Sequence, residues 1–180
     1  MKTPPHHEAY VPAPERDEKL QFCVKALENI LSIPGGADVK EELFRAVVWI
    51  VAEIDGKFTT RYRSRDAREA PAGSVQHEHV FPMRDLWAIA QGHMSPAQLL
   101  PLVTACVVTR DEHRKLSAYD RLPSAQFGWM RYTECKIQVV DMLEYRDLNM
   151  DDFKKLNAAL AEAIRVVRRA AAKLAPLVED

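Results

Sequence analysis

Residues 76–82 have the sequence Gln-His-Glu-His-Val-Phe-Pro, and residues 107–115 have the sequence Val-Val-Thr-Arg-Asp-Glu-His-Arg-Lys. The first stretch carries an acid–His pair, Glu78 and His79, on an apolar run, and the second carries His113. Carboxylates and imidazoles are ligands for divalent cations, and a neutral imidazole is also a general base. These two stretches therefore predict both the centre of the fold and the chemistry around it.

The second stretch marks a junction between a strand and a helix. Residues 105–108 are β-favouring and too few for anything but a strand. Thr109 and Glu112 follow with the spacing of a capping box, in which the two side chains satisfy two unpaired backbone amides. Another short strand, ended by a proline, is predicted over residues 75–81. The order strand, strand, helix predicts a small two-stranded ββα core at residues 75–117.

Helical patterns flank this core on both sides. Apolar residues recur every three or four positions from Arg16 to the Pro-Gly-Gly break at 34–36, and again from Asp38 to the Asp-Gly break at 55–56. A third pattern of this kind begins at Asn149 and continues towards the C-terminus. The predicted fold class is α+β and mostly α-helical, with two N-terminal helices, the small ββα core and a long C-terminal helix.

The length of 180 residues fits one domain with a helical extension. Residues 1–14 contain four prolines and few apolar residues, so they are predicted to be a disordered tail. Residues 15–148 are predicted to form a single helical domain around the ββα core. Residues 149–180 are predicted to form a long helix that packs on this domain or on a partner, and its length also allows a homodimer.

The amino-acid composition excludes several classes of protein. The chain has 25 basic and 26 acidic residues, so any contact with nucleic acid must come from a local basic patch. Its three cysteines are odd in number and lie outside any Cys-x-x-Cys spacing, which predicts reduced thiols. Because no apolar run reaches the length of a membrane span and no apolar signal region begins the chain, we expect a cytoplasmic protein without membrane contact.

The strongest local positive charge lies at residues 57–68, where five basic residues stand against one acid, with aromatic residues interleaved. The residues predicted to contact nucleic acid are Arg61, Arg63, Arg65, Arg68 and, close behind the first strand of the core, Arg84. In an extended strand, Arg61 and Arg63 would share one face and could neutralise phosphates. A solvated charged loop is the alternative interpretation.

The order of strand, strand and helix, with an acid–His pair on the first strand and a His on the helix, resembles the HNH nucleases, also called the ββα-metal fold. The resemblance covers residues 75–117. Residues 80–82 match the apolar-apolar-Pro continuation that often follows the pair, and residues 113–115 echo the His-x-x-Lys of the family's helix. The span between the pair and the helix His contains no Asn, the central residue of the family pattern.

The resemblance implies metal-dependent hydrolysis of phosphodiester bonds in DNA or RNA. In the family, the His of the pair is the general base that activates water, while the neighbouring acid and the helix His hold one divalent cation. On this chain His79 would be the base, and Glu78 and His113 would be the metal ligands. These ligand types are compatible with Mg, Mn, Zn or Ni.

Two alternatives stay open from the residues alone. Strand alternation puts Glu78 and His79 on opposite faces and puts His77 on the same face as His79. A second candidate ligand set is therefore His77, His79 and His113. For the function, the alternatives are a non-catalytic nucleic-acid-binding or regulatory protein on the same scaffold, or a helical dimerisation module.

Overall fold

The computed structural model describes residues 9–91 and 94–158 of the chain. These residues form an α+β fold, as predicted, in which helices pack around a five-stranded mixed sheet. No helix in these two ranges is both long enough and apolar enough to cross a membrane. The prediction of a two-stranded core is wrong in size, because three further short strands extend the sheet.

The first two helices are α1 (Arg16–Ser32) and α2 (Ala37–Ala52), the pair that the apolar periodicity predicts. The glycines of the turn between them, Gly35 and Gly36, have φ angles of 69° and 59°, a left-handed conformation that favours glycine. The helices pack through their apolar stripes, and fully buried side chains such as Leu27 lie between them.

After the second helix, the elements in chain order are β1 (Tyr62–Ser64), α3 (Arg65–Glu69), a 3-10 turn (Ala72–Ser74), β2 (Val75–His79), α4 (Met83–Gln91), α5 (Pro96–Leu99), a 3-10 turn (Leu100–Leu102), β3 (Ala105–Thr109), α6 (Arg110–Tyr119), α7 (Met130–Glu134), β4 (Val139–Asp141) and β5 (Arg146–Asp147). Residues 150–158 are also helical. The strand, strand and helix predicted from the sequence are β2, β3 and α6, with α4 and α5 inserted between the two strands.

The strand order in the sheet is β2-β3-β1-β4-β5, so β2 lies at an edge. It pairs antiparallel with β3, in a register that places His77 opposite Val107 and His79 opposite Ala105. The β1 strand pairs parallel with β3 and antiparallel with β4. Successive side chains of β2 therefore face opposite sides of the sheet, next to one neighbouring strand only.

Part of the predicted tail, residues 9–14, contacts distant parts of the fold, and the disorder of the tail stays a prediction. The Tyr10 hydroxyl donates a hydrogen bond to Asp55 at 2.6 Å, and the Tyr10 backbone amide donates to the Met142 carbonyl at 2.9 Å. The Ala13 amide donates to the same Asp55 carboxylate at 2.9 Å. Composition alone did not predict this, because the partners lie far along the chain. Residues 1–8 lie outside the described residues.

The predicted C-terminal helix is described only at its beginning, over residues 150–158. These turns pack on the chain's own domain, where Phe153 is buried against the Trp129 ring with 5.9 Å between ring centroids. The Asn157 side chain accepts a hydrogen bond from the Trp129 amide at 3.0 Å. Residues 159–180 lie outside the described residues, so the predicted length of the helix and its role in a homodimer remain predictions.

Candidate functional site

Strand alternation divides the His-Glu-His segment of β2 between two environments. The Glu78 side chain faces α6, where its Oε2 atom lies 2.5 Å from Nδ1 of His113. The His77 and His79 rings lie on the other side of the strand, against Trp49 of α2. The structure therefore brings Glu78 and His113 together, and it does not bring His79 to the same face.

The position of His113 follows from the capping box that the sequence predicts. The Thr109 hydroxyl accepts a hydrogen bond from the Glu112 amide at 3.2 Å, and the Glu112 carboxylate accepts one from the Thr109 amide at 2.8 Å. The same carboxylate accepts a hydrogen bond from the Ser64 hydroxyl of β1 at 2.6 Å. This confirmed box begins α6 directly at the end of β3 and ties its first turn to the sheet.

Arg131 of α7 is the residue of this site that sequence analysis missed. Its guanidinium donates to Glu78 Oε1 at 3.0 Å and to Asp120 at 2.7 Å. It also donates to the backbone carbonyls of His79 at 3.0 Å and Val80 at 3.1 Å. In the sequence Arg131 is a basic residue close to Trp129 and Tyr132, and this pattern does not indicate its partners.

The two oxygens of Glu78 thus have different roles. Oε1 accepts from Arg131, whose side chain is 1% exposed, and Oε2 faces His113, whose side chain is 42% exposed. Burial raises the pKa of Asp120 even though Arg131 acts in the opposite direction. Glu78 and Asp120 share the one guanidinium of Arg131, so these three groups together carry one negative charge when both carboxylates are ionised.

The two His residues on the opposite face are buried and neutral. Burial lowers the pKa of His77 and of His79 to about 4 in each case, and Arg131 and His77 add to the effect at His79. None of their four ring nitrogens has a hydrogen-bond partner of normal geometry among the described residues, although the Ala52 carbonyl favours the protonated form of His77. Such unpaired polar groups are costly in a folded protein.

Of the two candidate ligand sets predicted from the sequence, only Glu78 and His113 have side-chain atoms that meet. Within residues 9–91 and 94–158, no group of three or more His, Cys, Asp or Glu side chains is arranged to hold a metal, and His77, His79 and His113 do not converge. Glu78 Oε2 and His113 Nδ1 lie side by side, with the Glu78 side chain 11% exposed and the His113 side chain 42% exposed.

The basic residues predicted to contact nucleic acid are mostly paired within the protein. Arg61 donates to Asp141 at 2.7 Å, and Arg65 pairs with Asp147. Arg68 lies 3.6 Å from Glu69, and Arg84 lies 3.3 Å from Asp85. Arg63 is buried and donates to the Phe58 carbonyl at 2.7 Å. The predicted phosphate-binding strip therefore does not exist as a row of uncompensated charges.

Positive charge beside the candidate site comes instead from α6. Arg110 lies three residues before His113, on the same side of the helix, and is exposed. Neither Arg110 nor Lys115 pairs with a carboxylate in the part of the chain that the structure describes, whereas Arg114 pairs with Asp111. Of the two, only Arg110 lies on the His113 side of α6, since residues two apart on a helix, such as His113 and Lys115, do not face each other.

Comparison of the chain with protein-family models, with curated proteins and with solved structures found no match.

Proposed function

We propose that this protein hydrolyses phosphodiester bonds of a nucleic acid with the help of a divalent metal ion. The observation that carries the proposal is the 2.5 Å approach of Glu78 Oε2 and His113 Nδ1, the two residues that the HNH resemblance makes metal ligands. The negative charge left over between Glu78, Asp120 and Arg131 supports a cation here. The exposed Arg110 beside His113 supports a phosphate.

Each residue has a definable task in this chemistry. Glu78 and His113 would hold the metal, which supplies charge stabilisation at a phosphate oxygen when bound. Arg131 fixes one oxygen of Glu78, so the other oxygen points to the accessible side. His79 would accept the proton of the attacking water. Because Glu78 and His79 face opposite sides of the sheet, this chemistry requires a phosphate that reaches both residues around the edge of β2.

The second candidate is a non-catalytic protein that binds nucleic acid on the same scaffold. The specific observation in its favour is Arg131, a cation already bound to Glu78 and buried with it. A guanidinium in this place neutralises the carboxylate without any metal. In that case the exposed cations of α6 would bind phosphate, and no bond would be broken.

The test is cleavage of single-stranded DNA, RNA and plasmid DNA in the presence of Mg, Mn, Zn or Ni. We expect cleavage by the wild-type chain and a loss of at least about 100-fold in Glu78→Gln and in His113→Asn, since second-sphere changes alone cost 10–100-fold. Glu69→Gln, at an exposed carboxylate on α3, is the matched control and should cleave like the wild type.

The two candidates give different outcomes in this experiment. Nucleic-acid binding without cleavage under every metal, and a binding loss in Arg110→Ala, would select the non-catalytic protein. If the wild-type chain neither cleaves nor binds any of the three substrates, both candidates are wrong. Circular dichroism of each variant checks that it folds.

A further inference from the structure

The α1–α2 hairpin carries a concentration of exposed apolar side chains. Among the described residues, eleven large apolar side chains are exposed, and six of them belong to these two helices or to the residue that ends α1. The six are between 42% and 72% exposed: Phe22, Ile33, Val39, Leu43, Trp49 and Ile50. Single exposed apolar residues are common on protein surfaces, whereas a cluster of them indicates an interface.

On α2 most of these residues belong to one straight stripe. Its four members are separated by four, three and four residues, which places them on the same side of the helix: Val39, Leu43, Ala46 and Ile50. All four are exposed, whereas buried residues of α2 such as Phe44 and Val48 lie on the other side. A strict spacing of this kind is typical of the seam along which helices pack in a coiled coil.

The same spacing recurs on α1 and the residue that ends it. The members are three apolar residues and one polar residue: Phe22, Ala26, Asn29 and Ile33. The two stripes share one face of the hairpin, because Phe22 and Ile50 line a single groove of about 460 Å³. At the other end of the face, Lys40 Nζ donates a hydrogen bond to the Ile33 carbonyl at 2.9 Å.

Both stripes are symmetrical about the same level of the hairpin. The midpoint of one lies between residues 27 and 28 and that of the other between residues 44 and 45, and the antiparallel helices place these midpoints side by side. A two-fold axis at this level lays each helix antiparallel on its own copy. The axis sets Leu43 against Ala46 of the second copy, and Val39 against Ile50, so a large side chain meets a small one at the centre.

The exposed apolar area is sufficient for such a contact. The five large apolar side chains of the two stripes expose on the order of 500 Å² per copy, so two copies would bury on the order of 1,000 Å², the size at which specific interfaces begin. A surface that matches itself after a two-fold rotation is the requirement for a symmetric dimer. The occupant that fits this face is therefore a second copy of the chain.

We propose that the outer face of the α1–α2 hairpin is a homodimer interface, in which two hairpins pack antiparallel as a four-helix bundle. The inference goes beyond the proposed function and is independent of it, because it uses neither Glu78 nor His113. It also differs from the predicted dimer contact through the C-terminal helix.

The first test measures the mass of the full-length chain by sedimentation equilibrium. We expect the wild type to have twice the mass of one chain at micromolar concentration. Leu43→Glu should raise the dimer Kd at least about 30-fold, the change at an interface hot spot, because it places two carboxylates at the centre of the apolar contact. The matched control is Leu122→Glu, at a 51% exposed residue between α6 and α7, which should dimerise like the wild type.

Three outcomes would overturn the proposal. One is a wild-type chain that stays monomeric up to about 100 μM. Another is a wild-type Kd in Leu43→Glu, and the third is dissociation in Val167→Glu alone, which would assign the dimer to the C-terminal helix. Circular dichroism checks that each variant folds, and Phe22→Glu, at the end of the α1 stripe, is the second variant if Leu43→Glu does not fold.

The second test measures the direction of the helices. A chain with Val39→Cys is mixed with a chain with Ile50→Cys, both in a Cys135→Ser background that removes the half-buried thiol, and the mixture is oxidised. We expect a disulfide-linked pair from the mixture and none from either chain alone, because the axis separates the two copies of residue 39 by about 16 Å along the helix. A linked pair from the Val39→Cys chain alone would mean parallel helices and would overturn the two-fold arrangement.

Discussion

The Arg131 side chain holds several parts of the candidate site in place. It is 1% exposed and bonds two carboxylates and two backbone carbonyls, so it fixes both the direction of Glu78 and the end of β2. An arginine suits this position because its planar fork can serve several acceptors at once, which a lysine ammonium cannot do with the same geometry.

Replacing Arg131 by methionine should destabilise the protein strongly. The change leaves Glu78 and Asp120 without their shared cation, and an unpaired buried charge costs about 3–5 kcal/mol. Urea unfolding at pH 7.5 measures the free energy of unfolding. Arg131→Lys keeps the charge and should recover part of the loss. A loss below about 1 kcal/mol in Arg131→Met would mean that the carboxylates find other partners.

The β2 strand is the element that separates the two halves of the candidate site. Its alternation sends Glu78 to the side of α6 and sends its two neighbours to the side of α2. Among the described residues β2 pairs only with β3, so its other edge has no strand partner.

The same strand should make the protein sensitive to mild acid. His77 and His79 have a pKa of about 4 in the folded state, below the usual 6.5 of an unfolded chain. Between pH 6.5 and 4 the unfolded chain binds protons that the folded chain does not, so the free energy of unfolding falls as pH falls. Each imidazole contributes about 2–3 kcal/mol to this fall.

Urea unfolding at pH 7.5, 6 and 5 checks this dependence. In the double variant His77→Phe with His79→Phe, the free energy of unfolding should depend much less on pH, because a phenylalanine ring does not bind a proton. Carboxylates titrate mainly below this window, so the difference between variant and wild type isolates the imidazoles. An equal slope in both proteins would assign the acid sensitivity to other groups.

At the scale of the whole molecule, residues 10–16 hold together parts of the fold that are distant in sequence. Tyr10 and Ala13 bond Asp55 at the end of α2, Arg16 pairs with the same carboxylate, and the Tyr10 amide bonds Met142 after β4. Burial and the hydrogen bond to Asp55 raise the pKa of Tyr10 to about 12, so its hydroxyl stays a donor at neutral pH.

We expect Asp55→Ala to destabilise the whole fold by about 2–4 kcal/mol. Its carboxylate accepts three hydrogen bonds, one from a backbone amide and two from the side chains of Tyr10 and Arg16. Tyr10→Phe removes one of the three and should cost about 1 kcal/mol. Thermal unfolding gives both values. Glu53→Ala, two residues away in the chain, is the control. Wild-type stability in Asp55→Ala would show that the segment contributes nothing to the fold.

The sequence by itself determined the local elements. Apolar periodicity predicted α1, α2 and the start of the C-terminal helix, and the capping box predicted where α6 begins, because these signals act over a few residues. Strand alternation also predicted that Glu78 and His79 would face opposite ways, which the structure confirms.

Only the tertiary structure decided which of these groups meet. Glu78 meets His113 across 35 positions of the chain and Arg131 across 53, while Arg61 finds its carboxylate, Asp141, 80 positions away. Charged side chains interact through space, so a local sequence pattern does not indicate a partner on another strand or helix. Basic residues of the predicted strip pair with carboxylates for this reason, while their contact with nucleic acid stays a prediction. The role of Arg131 became apparent only with α7 placed beside β2.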